Sequence, residues 1–555
     1  MAARILRYLR WFLGGAIGGA ILLYFFDFAG WLPMEMHALL HIQVVPAILA
    51  GTIVVLAVTF LATLLFGRVY CSVVCPLGIL QDFISRCKIW WTRIAKKGKK
   101  VRMKYEKPLN ILRYGIFFIT ALCFVIGISF PLLLLDPYSN FGRITVSLFK
   151  PVVVWINNII AGILTARGNY TLYNVYIENS TWLVLAAAVV VFVALAILAW
   201  RKERIWCNTI CPVGTLLGFV SRFSLFRITL NSNCTGCKQC AAACKSRCIE
   251  ITKETRSVDY SRCVTCFNCL GKCKFEAMSY APTGWTLAPK TKNAVVTKEA
   301  YSLKGKPAVE ASAQETQAVN GDGLTSAQVS RRRFVKGTLM AAAMIPAAKT
   351  FAQEFMENAG NGGELQRPTR HPLPPGAGDL ERFRSKCTAC QLCISKCPSQ
   401  VLQPAFLENG LTGIMQPYLK FRLESYCSYD CKVCIDVCPN HALQPMTLEE
   451  KKLTKIGQVH FLIDKCIVKS ELQDCGACAE HCPSKAVRMV PFGVGTLTIP
   501  ELTPELCIGC GGCTSICPVT PEPAIFVDGY AVQEMAVPPT DEKIDVDADA
   551  LDFGF

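Results

Sequence analysis

Four stretches within the first 200 residues, at 11–32, 44–66, 112–135 and 182–200, are apolar and almost free of charge. Each approaches or exceeds the roughly 20 residues that a helix needs to cross a bilayer. A shorter apolar run at 151–163 predicts an interfacial or re-entrant piece. The polar positions between these runs are sorted by charge. Arg4, Arg7 and Arg10 precede the first run. A basic cluster from Arg86 to Lys107 follows the second, and Arg201, Lys202 and Arg204 follow the fourth. The connection between the first two runs holds Glu35, His37 and His41 but no lysine or arginine. Positive residues stay on the cytoplasmic side, so both ends of the four-span unit are expected in the cytoplasm.

Within this unit the sequence repeats itself. Arg68-Val-Tyr-Cys71-Ser-Val-Val-Cys75-Pro-Leu-Gly matches Arg204-Ile-Trp-Cys207-Asn-Thr-Ile-Cys211-Pro-Val-Gly, and the frame continues to Arg86 and Arg222. The repeat predicts two related hairpins. On helical backbone Cys71 and Cys75 share a face, as do Cys207 and Cys211. Pseudo-symmetry then brings four thiolates together, a ligand set suited to an additional iron or iron–sulfur centre, or else to capping the helix ends.

Beyond residue 230 the apolar runs stop and cysteine takes over; the chain of 555 residues holds 31. Tight C-x2-C-x2-C-x3-C runs place neighbours poorly for disulfides and well for wrapping a cluster. Cys234, Cys237, Cys240 and Cys244 are followed by Cys263, Cys266, Cys269 and Cys273, the two-cluster ferredoxin spacing. In that arrangement the fourth cysteine of each run serves the other cluster. The expected sets are Cys234, Cys237, Cys240 and Cys273, and Cys263, Cys266, Cys269 and Cys244. The usual proline after the fourth cysteine is replaced by Lys245 and Lys274, and Cys248 has no assigned role.

A second group follows. Cys387, Cys390, Cys393 and Cys397 have standard spacing, as do Cys507, Cys510, Cys513 and Cys517. Cys427, Cys431, Cys434 and Cys438 carry one extra residue in the first gap, and Cys466, Cys475, Cys478 and Cys482 a long one. Six quartets predict six [4Fe–4S] clusters and argue against zinc. Cys87 and Cys123 fall in no pattern and read as packing residues. No C-x-x-C-H haem motif appears, and no acid–base or nucleophilic constellation.

The predicted fold class is therefore α+β. A four-helix transmembrane domain (1–230) precedes a two-[4Fe–4S] bacterial-type ferredoxin domain (231–280), and a four-[4Fe–4S] ferredoxin-like domain (381–530) follows. A linker (281–329), a twin-arginine-like signal or anchor helix (330–352, with Ser330-Arg331-Arg332-Arg333-Phe334-Val335-Lys336) and a second linker (353–380) join them, and an acidic tail (531–555) ends the chain. The net charge of +17 gathers beside apolar runs, which points to membrane lipid and away from nucleic acid.

The paired C-x3-C-P repeat on apolar spans, followed by a two-cluster ferredoxin, resembles the NapH-type membrane ferredoxins. The twin-arginine motif with its four-cluster domain resembles the NapG-type exported ferredoxins. The resemblance to a fusion of the two implies a multi-pass protein of a bacterial inner membrane, with the two-cluster domain cytoplasmic and the four-cluster domain periplasmic. It implies a quinol dehydrogenase that takes electrons from the quinone pool and passes them to a periplasmic terminal reductase, nitrate reductase-like, or to its electron-accepting subunit. The alternative is a membrane polyferredoxin that reduces metal or matures a respiratory enzyme.

Overall fold

The computed structural model describes residues 2–28, 30–95, 103–175, 182–231, 233–252, 255–273, 275, 277–283, 370–406, 408–422, 425–493 and 495–538. The twin-arginine-like segment lies outside these residues, as do Lys274, most of both linkers and most of the acidic tail.

The apolar first half is helical, but its breaks differ from those the hydropathy pattern predicts. Helix α1 (Ala2–Phe26) starts earlier than the apolar run and ends before it. The 44–66 run is divided at Gly51, whose left-handed backbone (φ 72°) ends one helix before α2 (Ile53–Phe66) begins. After α3 (Pro76–Ala95), the 112–135 run is divided near Gly127 (φ 92°), leaving α4 (Asn110–Val125). The segment expected to be interfacial or re-entrant belongs to a continuous apolar helix, Pro137–Thr165, long enough to cross a membrane. Here α5 (Pro137–Ile144) joins α6 (Lys150–Thr165) through one π-helical turn, Thr145–Phe149. In that turn the Lys150 N–H reaches back to the Thr145 carbonyl, and the helix continues through Pro151, which has no N–H to donate. Helix α7 (Trp182–Lys202) and α8 (Pro212–Val220) complete this half. Among the described residues three helices, Arg4–Phe26, Pro137–Thr165 and Trp182–Lys202, are long and apolar enough to span, while α2 and α4 are shorter.

The cysteine-rich parts are built from two-stranded antiparallel ribbons. In the first, β1 (Phe226–Leu230) pairs with β4 (Met278–Pro282), and β2 (Ile249–Ile251) with β3 (Arg256–Val258). The two-cluster domain thus begins a few residues before the composition change. In the second, β5 (Leu402–Pro404) pairs with β6 (Pro417–Leu419), and β8 (Val487–Pro491) with β9 (Thr498–Leu502). The long pair is β7 (Thr454–Phe461) with β10 (Ile525–Met535). This domain is larger than its cysteine spacing suggests. Gly529 donates to the Arg370 carbonyl at 2.8 Å and Leu419 to that of Pro372 at 2.8 Å, so the end of the second linker is folded in.

One buried core runs through the described helices and both cysteine-rich parts. It contains Tyr24, Phe25, Cys71, Cys75, Tyr138, Phe141 and Cys211, and also Cys266 of the first ferredoxin part and Cys390 of the second.

Candidate iron–sulfur sites

The standard cysteine loops share one backbone device. In each C-x2-C-x2-C run, the residues just before and just after the middle cysteine are left-handed: Gly236 and Lys238, Thr265 and Phe267, Ala389 and Gln391, Gly509 and Gly511. Five of these eight are not glycine, and each such residue costs about 1–2 kcal/mol. Alternation of this kind turns successive N–H groups toward one point and makes a nest for an anion. Cys387 accepts from Ala389 N at 3.5 Å and Cys507 from Gly509 N at 3.4 Å.

The fourth cysteines cross between runs. Cys234, Cys237, Cys240 and Cys273 line one cavity, and Cys244 lies within electrostatic reach of Cys266 and Cys269, which in turn reach Cys263. In the larger domain Cys387, Cys390 and Cys393 gather with Cys438, and Cys427, Cys431 and Cys434 with Cys397. Cys466, Cys475 and Cys478 share a cavity with Cys517; Cys482, Cys507, Cys510 and Cys513 share another. Burial pushes the Cys427 thiol up to about 11 and those of Cys478 and Cys510 up to about 12. A thiolate at these positions needs a cation beside it, which iron supplies. Among the described residues no group of three or more His, Cys, Asp or Glu closes around a single metal ion. The quartets fit the larger cluster that their spacing specifies.

Contacts between the sets give their order in space. Cys240 lies in reach of Cys269, Cys393 of Cys434, and Cys513 of Cys478. Cys427 N donates to the Cys510 carbonyl at 2.9 Å. The four sets of the larger domain therefore run from the Cys387 set through the Cys427 and Cys507 sets to the Cys466 set, which is not the order of the chain.

The repeat in the helical half builds a seventh set. Cys75 is in electrostatic reach of Cys71 and Cys207, and Cys211 of Cys71, Cys75 and Cys207. All four are 4% exposed. Two arginines brace the set reciprocally across the pseudo-dyad. Arg68 donates to the Cys207 carbonyl at 3.1 Å and approaches Cys71 Sγ at 3.6 Å. Arg204 donates to the Cys71 carbonyl at 2.6 Å and lies 3.9 Å from Cys207 Sγ. The repeat's glycines make room for this. A Cβ on Gly78 would stand 2.4 Å from the Cys71 oxygen and 2.7 Å from Arg204; on Gly214, 2.1 Å from the Cys207 oxygen and 2.9 Å from Arg68. Gly214 N caps Cys211 Sγ at 3.3 Å, and Gln81 donates to Cys207 Sγ at 3.3 Å.

The lysine that replaces proline after Cys244 has a place in this bracing. Lys245, 5% exposed, reaches Asp82 at 3.2 Å, and the same carboxylate takes Arg10 at 3.1 Å and Arg204 at 2.9 Å. Of these cations Arg204, with Arg68, lies in electrostatic reach of the repeat thiols, and Lys245 and Arg10 in reach of Cys266. The two arginines oppose the burial that pushes the Cys207 thiol up and suit an anionic cluster there. Cys248, unassigned by spacing, sits 3.5 Å from Cys244 Sγ and also contacts Cys263. Cys87 and Cys123 are half-buried and join no set.

Further residues carry no motif of their own. Position three after a fourth cysteine is left-handed at Arg247 and at His441. Arg247 reaches the helical half through Glu106 at 2.6 Å and the Arg201 carbonyl at 2.9 Å. His441 brings its ring to 6.0 Å from His41, which contacts His37 at 3.3 Å.

Comparison with known proteins agrees with this geometry. Residues 47–100 and 182–231, the two repeat halves, each match a 4Fe-4S binding domain, and residues 426–486 and 473–520 match a 4Fe-4S dicluster domain. The chain thus carries 4Fe-4S ferredoxin-type domains, its similarity to ferredoxin-type proteins supports an electron-transfer role, and its apolar helices are consistent with a membrane protein. It is 25% identical over 285 residues to the putative electron transport protein YccM of Escherichia coli, covering 50% of this chain and 67% of YccM. It is 29% identical over 168 residues to the ferredoxin-type protein NapF of the same organism, covering 30% of this chain and 93% of NapF. The methylamine utilization ferredoxin-type protein MauN of Paracoccus denitrificans is 28% identical over 221 residues, 39% of this chain and 57% of MauN. No solved structure matches the chain.

Proposed function

We propose that the chain is a membrane-bound quinol dehydrogenase module that passes electrons across the bilayer to a periplasmic reductase, using six [4Fe–4S] sites and an iron–sulfur or iron centre at Cys71, Cys75, Cys207 and Cys211. The observation that carries this reading is the placement of all three cysteine groups along α1. Near its start, Leu6 packs on the two-cluster core and Arg7 lies against Gly271. In its middle, Gly14 abuts the Ser72–Val73 backbone between Cys71 and Cys75. At its end, the Phe25 carbonyl accepts from Ser395 at 2.6 Å, and Asp27 pairs with Lys396 at 2.6 Å. Residues 7 to 25 rise about 27 Å, close to the thickness of a hydrocarbon core.

Bound clusters supply one-electron carriage. The chain's residues fix their positions, bury them and set the charge around them. Export of the four-cluster domain by its twin-arginine-like segment is part of the proposal, and so is the NapH–NapG type of fusion. The test is reduction of the clusters by a quinol analogue in anaerobic membrane vesicles, followed by electron paramagnetic resonance. Spectra that stay oxidised with quinol but respond to dithionite overturn the quinol assignment. Protease that removes residues 370–538 only from the cytoplasmic face overturns the export assignment.

A further inference from the structure

A cavity of about 240 Å³ lies where the two-cluster domain meets the ends of α4 and α7. Lys107, Lys202, Arg204, Arg247 and Arg262 line it, against one carboxylate, Glu106. Glu106 is already committed, to Lys202 at 3.0 Å and to Arg247 at 2.6 Å. Asp82 and Asp259 take one edge each of Arg204 and Arg262. Donors nonetheless remain: Arg204 Nη2, Arg247 Nε, Arg262 Nη2 and Ser246 Oγ are buried without a hydrogen-bond partner. Arg204, Arg262 and Ser246 are 1%, 5% and 6% exposed, so bulk water has little access to them. Four of the residues that line this basic cavity thus hold a buried donor without a partner, which calls for a ligand with several acceptor oxygens and negative charge, and guanidinium forks match a phosphate group best. The lining also includes Leu109, whose side chain opens onto the exposed apolar flank of α4 with Ile111 and Leu112. Acyl chains have a surface to follow there, and basic sites at the ends of spans recognise lipid headgroups.

We propose that this cavity binds a phosphate group, carried by an anionic phospholipid or present as free phosphate, and that the group fastens the two-cluster domain to the ends of α4 and α7. The inference is independent of the electron donor. The full chain, loaded with its clusters, is placed in phosphatidylcholine nanodiscs alone, with phosphatidylglycerol added, or with inorganic phosphate in the buffer. Native mass spectrometry counts retained phosphatidylglycerol, and hydrogen exchange at residues 103–110 and 245–247 reads the clamp. Retention with protection by phosphatidylglycerol assigns a lipid; protection by phosphate alone assigns the free anion. Arg247→Gln is expected to weaken binding by about tenfold, the worth of one charge-assisted hydrogen bond. Glu106→Gln removes the competing carboxylate and is expected to tighten it. These opposite signs separate ligand chemistry from misfolding, which would weaken both. No protection in the wild type, equal responses in all three proteins, or weakening in both variants overturns the proposal.

Discussion

Two buried glycines and a cysteine carry the sharpest tests among single residues. Gly78 and Gly214 leave the space through which Arg204 and Arg68 reach across the repeat. A methyl group at either position collides with backbone oxygen, and a packed interior relaxes only partly around such an insertion. Gly214→Ala is therefore expected to lower the iron content by the share of one centre, while the ferredoxin-type signals persist. Full iron content with an unchanged spectrum would show that the four cysteines only pack. Cys248 hydrogen-bonds the Cys244 sulfur, and a donor to a cluster ligand favours the reduced state. Cys248→Ala is expected to retain iron and to lower one midpoint potential by about 40 mV, the equivalent of one hydrogen bond of about 1 kcal/mol; loss of iron would make Cys248 a ligand. The cysteine sets were legible in the sequence because cluster geometry fixes their spacing. Arg68 and Arg204 were visible only as repeated letters, since their reach across the dyad depends on how two distant halves pack.

Among the elements, α1 and the turns that touch its far end decide how the larger domain is held. Asp27 and Lys396 are 5% and 9% exposed at the side chain, and Lys396 also lies 4.0 Å over the Tyr24 ring. Removing one partner strands the other charge, at a cost of about 3–5 kcal/mol. Asp27→Asn is thus expected to raise hydrogen exchange at residues 392–397 well above wild type while leaving the 234–273 region unaffected. Acid acts on the same joint. Burial, with His37 and His441 beside it, holds the His41 imidazole down at about 4. A folded value below the usual 6.5 means that the docked form binds fewer protons than the released one. Docking is then complete above about pH 6.5 and weakens as the pH falls toward 4. Hydrogen exchange of residues 438–446 measured from pH 7 to 5 checks the sign, and a flat profile would remove His41 from the joint. Hydropathy found the apolar runs and missed their breaks. Gly51 and Gly127 interrupt two of them through backbone conformation, which an average over side chains does not register, while the π-helical turn before Pro151 joins a helix that the pattern had cut short.

For the whole molecule, the order of the cysteine sets in space differs from their order in the chain, and the difference has consequences. Spacing alone left the four sets of the larger domain unpaired. The crossed fourth cysteines and the Cys427–Cys510 backbone contact order the sets, and Cys390 in the central core puts the Cys387 set at the helical half, with the Cys466 set at the other end of that order. On the other side Cys266 shares the central core while Cys237 is exposed. The repeat cysteines stand between, tied to one side by Lys245 and Asp82 and packed toward the other through Tyr138 and Phe141. Such an order makes the middle set the link on which the two ends depend. Cys71→Ser is expected to leave both ferredoxin groups assembled and to slow electron exchange between them by more than tenfold. Stopped-flow spectra, with a reductant confined to one face of sealed vesicles, would resolve this as one group bleaching while the other stays oxidised. A variant whose two groups bleach together as in the wild type would show that electrons pass between the halves without the repeat cysteines, and the arginines and glycines around them would then serve packing alone.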